Sequence, residues 1–156
     1  MEEQKTTTGG TKKFKDFVSA IGRRRAAVAR VRIYSKVSSS LKFGDLAIKK
    51  GDVVVNGRNI SQYFSGDVAK TAYEEPLKLV NSLNKLAITA KVQGGGLQSQ
   101  LGAFVLGLSR GLAAMDEKTR PILRKKGLLT RDSRVRERRK VGTGGKARRK
   151  KQSPKR

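Results

Sequence analysis

The chain has 156 residues, a length that suits one domain with extensions. Its 37 Lys and Arg against 12 Asp and Glu leave a formal charge of +25; a compact fold gains nothing from that self-repulsion, whereas a surface that binds a polyanion does, because each phosphate it neutralises releases a counterion. With no Cys and no His, disulfides, thiolate zinc sites, Cys nucleophiles and His acid–base pairs are excluded, and the absence of a long apolar run or an aromatic-anchored basic helix argues against a membrane partner.

Residues 1–19 read as a polar, mostly flexible arm. The segment TTTGGTKK with Glu2 and Glu3 has neither the apolar core of a secretory signal nor the acid-poor character of a transit peptide. A globular domain is expected over 20–126. Gly22-Arg23-Arg24-Arg25 precedes a first strand in which Ala27, Ala29, Val31 and Ile33 alternate with Val28, Arg30, Arg32 and Tyr34. Residues 36–51 read as a loop with a short β-hairpin arm. Val53-Val54-Val55 predicts a strand entering a type I′ turn at Asn56-Gly57, with Arg58 to Ile60 returning.

A helix is expected over about 68–83, interrupted or restarted at Pro76, because proline suits a first helical turn better than an interior. Leu86, Ile88, Ala90 and Val92 alternate with Ala87, Thr89, Lys91 and Gln93, which predicts another half-buried strand. The clearest helix covers 97–115, where Leu97, Leu101, Phe104, Val105, Leu108, Leu112 and Met115 recur at helical spacing. A further helix over about 117–126 has Asp116 as N-cap, Pro121 near its start and Gly127 just past its end. These elements predict an α+β domain, a small sheet covered by helices on one face.

Residues 127–156 carry 13 Lys or Arg against Asp132 and Glu137, a net of +11, and are nearly devoid of apolar residues after Val141. Such a segment cannot bury enough surface to offset the entropy of ordering, so it is expected to order only on a partner.

Three features could carry chemistry. Arg23, Arg24, Arg25, Arg30 and Arg32 would form a row of guanidiniums matched to phosphates, although a solvated charged edge is the bland alternative. Gly94-Gly95-Gly96 opens the 97–115 helix, where backbone amides, the helix dipole, Gln98 and Ser99 could receive a phosphate; the alternative is a turn needing positive φ. Gly102, Ala103, Gly107, Gly111 and Ala114 put small residues on that helix, for tight packing or for a smooth surface beside Arg110. The eight aromatics are scattered and form no stacking platform, so backbone and shape rather than base sequence would be read.

Glu74-Glu75 and Asp116-Glu117 are adjacent pairs at helix starts, a placement explained by the dipole rather than by catalysis. A nucleoid protein would share the basic tail but has no need of this folded core. A small-molecule kinase could use a loop like GGGLQSQLGA, but residues 20–126 leave little room for a second substrate domain and no catalytic Asp or Lys stands out. Neither a cofactor nor a small-molecule substrate is expected, and no enzyme activity.

The order of motifs resembles the universal small-subunit ribosomal protein nine family, bacterial type, over residues 18–156. The resemblance rests on Gly22-Arg23-Arg24-Arg25-Ala26-Ala27-Val28-Ala29-Arg30-Val31, Val55-Asn56-Gly57-Arg58 with Tyr63-Phe64, and Val92-Gln93-Gly94-Gly95-Gly96-Leu97. It continues through Arg120-Pro121-Ile122-Leu123, Leu129-Thr130-Arg131-Asp132, Glu137-Arg138 and Lys155-Arg156. It implies a four-stranded sheet with helices on one face, a left-handed βαβ crossover that departs from the usual hand, and a long extended basic tail.

It also implies a place in the head of the small subunit of a cytoplasmic ribosome, with small-subunit rRNA, peptidyl-site tRNA and neighbouring ribosomal proteins of the head as partners. On that resemblance, Lys155 and Arg156 would touch tRNA. The rRNA contacts would fall to the arginines already named, Arg58, the glycine loop with Gln98, Arg110, Lys125, Lys126, Arg131, Arg134, Arg138, Arg139, Lys140, Lys146, Arg148, Arg149 and Lys150. Thirty extended residues span at most about 100 Å, so the reach is sufficient. Gln152-Ser153-Pro154-Lys155-Arg156 lacks the aromatic residue usual before the family's ending. Ser133, Arg136 and Val141 stand where a proline, an apolar residue and an aromatic are more usual, and residues 38–51 are longer than the common turn.

Overall fold

The computed structural model describes residues 17–35, 41–43 and 46–141. A five-stranded sheet runs in the order β1-β2-β7-β5-β6, made of β1 (Phe17–Arg24), β2 (Ala27–Tyr34), β5 (Val53–Val55), β6 (Arg58–Asn59) and β7 (Ala87–Gln93). A separate hairpin joins β3 (Leu41–Phe43) to β4 (Leu46–Ile48), as expected for the arm within 36–51. The helices are α1 (Ile60–Tyr63), α2 (Asp67–Leu79), α3 (Leu97–Met115) and α4 (Arg120–Lys125), the last preceded by a 3₁₀ turn at Glu117–Thr119.

The sheet departs from the expected four strands because the return after Asn56-Gly57 forms two residues of ladder, Val54↔Asn59 and Val55↔Arg58, before Ile60 turns into α1. Asn56 (φ 49°) and Gly57 (φ 77°) both adopt the left-handed region that a type I′ turn requires. β1 is the strand that sequence patterning missed. Gly22 to Arg24, read as preceding the first strand, are themselves paired with β2 from Phe17↔Tyr34 to Arg24↔Ala27. The hairpin reverses at Arg25-Ala26, where Arg25 holds φ 50° without the Gly or Asn that normally announces such a turn.

α3 follows the expected bounds, and α2 runs continuously through Pro76. A proline inside a helix forfeits one hydrogen bond; here its ring is buried with Tyr73 and Leu77 on the face that meets the core, and that packing holds the helix together.

The core lies between one sheet face and the helices. Ala29, Val31 and Ile33 of β2, Ile88, Ala90 and Val92 of β7, and Val55 meet Leu101, Phe104, Leu108 and Leu112 of α3. α3 packs chiefly on β1 and β2, and glycine makes that approach possible. A Cβ on Gly22 would collide with the Ala103 carbonyl and the Gly107 backbone, and one on Gly107 would lie 2.9 Å from Val31 Cγ2. One on Gly111 would lie 2.6 Å from Ile33 Cδ1. Packing therefore accounts for Ala103, Gly107 and Gly111, whereas Ala114 is exposed. On the opposite sheet face a lesser cluster of Tyr34, Ile48, Val54 and Ala87, with Phe17 against it, closes one end only.

Candidate nucleic-acid interface

Beyond that cluster the second face carries the exposed Ser19, Ile21, Arg23, Arg30, Arg32 and Lys91 around a buried Thr89, and strand register decides how they stand on it. β1 and β2 pair Ile21 with Arg30 and Ser19 with Arg32, while β2 and β7 pair Arg30 with Lys91 and Arg32 with Thr89. Arg23 lies across from Val28, which lies across from Gln93. A trough of about 990 Å³ follows these rows, lined by Phe17, Ser19, Ile21, Arg30, Arg32 and Lys91 among others. It continues past Arg23 and Gln93 toward Gly94. The Arg32 guanidinium lies 4.9 Å from the centre of the Phe17 ring, a cation–π contact that restrains it.

The expected row of five arginines is thus divided. Arg23, Arg30 and Arg32 share the open face, whereas Arg24, one residue out of phase, points to the helix side. Its side chain covers Gly102, and its Nη2 lies 3.5 Å from Asp132 Oδ2. Arg25 occupies the hairpin turn. Arg110 reaches back from α3 and donates to the Ile21 carbonyl at 3.0 Å, occupying an acceptor on the outer edge of β1. Lys91, on the polar face of β7 by alternation and absent from the residues expected at the site, stands directly across from Arg30.

The glycine loop has two different tenants. Gly94 (φ 74°) and Gly95 (φ 65°) need their positive φ, and a Cβ on Gly94 would strike the Ala26 carbonyl. Gly96 has ordinary extended backbone, caps α3 without a side-chain bond, and has open space around it, as phosphate access would require. Gln98 is exposed beside it.

A hydrogen-bond chain ties this loop to the Asn56-Gly57 turn. Asn56 Nδ2 donates to the Val92 carbonyl (2.9 Å) and Asn56 Oδ1 accepts from the Val92 N–H (2.8 Å), so the side-chain amide adds one more rung to the β5–β7 ladder. Asn56 Nδ2 also donates to the Tyr63 hydroxyl (3.2 Å), which donates to Gln100 Oε1 (2.9 Å), and Gln100 Nε2 donates to the Gly94 carbonyl (3.1 Å). Three motifs separated in sequence therefore meet at one end of the sheet.

The tail leaves the domain through a built exit. Gly127 (φ 73°) ends α4, with the Gly127 N–H on the Arg124 carbonyl and the Leu128 N–H on the Leu123 carbonyl, and Leu128 and Leu129 pack on the core. Asp132 then accepts from the Arg134 backbone N–H (3.1 Å), Nε (2.9 Å) and Nη2 (2.9 Å) besides facing Arg24. The Arg134 side-chain bonds, its backbone N–H and the Arg24 charge hold the Asp132 carboxyl well below the usual carboxylate range.

Lys125, Lys126, Arg131, Arg134, Arg138, Arg139 and Lys140 are exposed along this route, and Arg58 is exposed beside the β5–β6 turn. Lys146, Arg148, Arg149, Lys150, Lys155 and Arg156 lie outside the described residues. Among the described residues no group of three or more acids could hold a metal ion, and no helix is long and apolar enough to cross a membrane.

Comparison with known proteins gives one answer. The family model described as "Ribosomal protein S9/S16" matches residues 22–156. Two curated relatives named "Small ribosomal subunit protein uS9", from Anaeromyxobacter sp. (strain K) and Anaeromyxobacter dehalogenans (strain 2CP-1 / ATCC BAA-258), are each 40% identical over 125 residues. Those alignments cover 80% of this chain and 86% of each relative.

Proposed function

The chain belongs to the ribosomal protein S9/S16 family, and from that premise we propose how its charge is divided between ribosomal RNA and transfer RNA. It is a structural constituent of the small ribosomal subunit and not an enzyme. In this reading the domain expected over 20–126, which β1 extends back to Phe17 and core packing extends to Leu129, is anchored on small-subunit rRNA in the head, beside neighbouring ribosomal proteins. The anchoring contacts come from Arg23, Arg30 and Arg32 on the open face, from the loop at Gly96 and Gln98, and from Lys125 and Lys126 at the end of α4.

The tail over 127–156 continues from the Gly127 exit through rRNA, and Lys155 and Arg156 approach the anticodon stem-loop of peptidyl-site tRNA. The crossover from β5 through α1 and α2 to the parallel β7 is left-handed on the same family reading. One observation carries the division. The domain's last packed residues, Leu128 and Leu129, are followed by exposed chain from Ser133 to Val141 with no regular structure, so the basic run beyond them is built to be held by a partner.

Small subunits assembled with a chain lacking 153–156 provide the test. Normal incorporation with weakened tRNA binding at the peptidyl site supports the assignment; unchanged tRNA affinity removes the tail's role in decoding.

A further inference from the structure

We infer that the open face of the sheet is a phosphodiester groove in which Arg30 and Lys91 clasp one phosphate of an RNA strand, flanked by Arg32 and Arg23. This rests on the rRNA-binding reading and adds to it a site, a ligand chemistry and a residue, Lys91, that the family resemblance did not supply.

Register supplies the first argument. Arg30 and Lys91 are directly opposed on adjacent antiparallel strands, both exposed. Like charges so placed destabilise a sheet pair, and among the described residues no acid lines the trough to separate them. An anion seated between the two converts the repulsion into a pair of charge-assisted hydrogen bonds. Direction supplies the second. Arg30 and Arg32 stand two residues apart on one strand, about 6.8 Å along it, a step comparable with that between successive phosphates of an extended strand. Arg23 continues the line toward the glycine loop, where the trough reaches Gly94.

Shape and preorganisation agree with this. The trough is closed at one end by the Tyr34, Ile48 and Val54 cluster and is open at the other. Arg32 is already restrained by Phe17, so less side-chain freedom is lost when it binds. The aromatic ring that could stack on a base is thereby engaged with a guanidinium, which favours reading of the backbone over reading of bases. An acidic segment of a neighbouring protein is the other polyanion that could lie here. A strand of phosphates suits an unbroken line of cations better, because every step of it carries a charge.

The chain has no Cys, so the full-length Ser19→Cys protein carries a single thiol on the groove floor, to which an iron chelate can be tethered before assembly into small subunits. Hydroxyl radicals released there are expected to cut rRNA. The same probe on Val68→Cys, exposed on α2 at the helix side, reports the opposite surface. Subunits that contain the Ser19→Cys chain but show no rRNA scission from it, or scission of a neighbouring polypeptide instead, would overturn the groove while leaving the ribosomal reading intact. Failure of the parent chain itself to enter small subunits would overturn both.

A second measurement does not depend on the label. The Lys91→Gln chain is expected to be washed from subunits at lower salt than the parent, with a salt slope smaller by about one. Release at the same salt would mean Lys91 meets no phosphate.

Discussion

Gly22 is the residue on which the β1–α3 contact turns. Any side chain there meets main-chain atoms of Ala103 and Gly107, which cannot swing aside as a rotamer would. Gly22→Ala should therefore destabilise the protein by about 1–3 kcal/mol through overpacking, read as a lower urea midpoint. Gly96→Ala faces open space and ordinary φ, and its cost as an N-cap change should stay under about 1 kcal/mol. Asn56 is different again, since it combines φ 49° with both hydrogen bonds to Val92. Asn56→Ala strands the Val92 amide and should cost about 1–3 kcal/mol in the same assay.

At the scale of elements, the tail exit behaves as a clamp with a defined pH response. The folded-state pKa of Asp132 is depressed, so its contribution is present at neutral pH and is lost only as pH falls through that lowered value. The clamp should thus persist through the range near pH 4 in which ordinary carboxylates protonate. Carboxyl-carbon chemical shifts of Asp132 followed across an acid titration check this; a midpoint near the usual Asp value would show that the Arg134 and Arg24 contacts are not formed in solution. Asp132→Asn should leave the unfolding midpoint of the domain nearly unchanged, because exposed pairs contribute little, while accelerating tryptic cleavage at Arg131 and Arg134.

Elements also differed in how legible they were. β2, β7 and α3 could be read directly because each has one continuous apolar face against the core. β1 was hidden because two of its core-facing residues, Ala20 and Gly22, are small enough to admit a helix and therefore too weak to mark a strand beside Val18 alone. Pro76 misled for a related reason, since burial rather than propensity decides that α2 continues. The site was legible only in part. Charge and alternation marked Arg30 and Arg32, but the grouping of Arg23 without Arg24, the pairing of Arg30 with Lys91 and the turn of Arg24 toward Asp132 are consequences of register. The β1–β2 register depends on a hairpin that carries no turn signal in sequence, and the β2–β7 register on strands about sixty residues apart in the chain.

At the scale of the whole molecule, a net charge of +25 is shared between the residues of the folded domain and a basic C-terminal segment with 13 Lys or Arg over 127–156. Replacing both Arg30 and Arg32 by Glu reverses the open face without touching the core and should sharply reduce incorporation into small subunits, measured as the fraction of chain in that gradient peak. Normal incorporation would show that the face is merely solvated. The broader claim, that this charge exists for ribosomal RNA rather than for nucleic acid in general, is tested most directly by sucrose-gradient sedimentation of the tagged full-length chain from its own cells. The chain is expected to travel with small subunits and to stay with them after nuclease removal of DNA. A chain absent from the small-subunit peak, or one released from its complexes by DNA digestion, would contradict it.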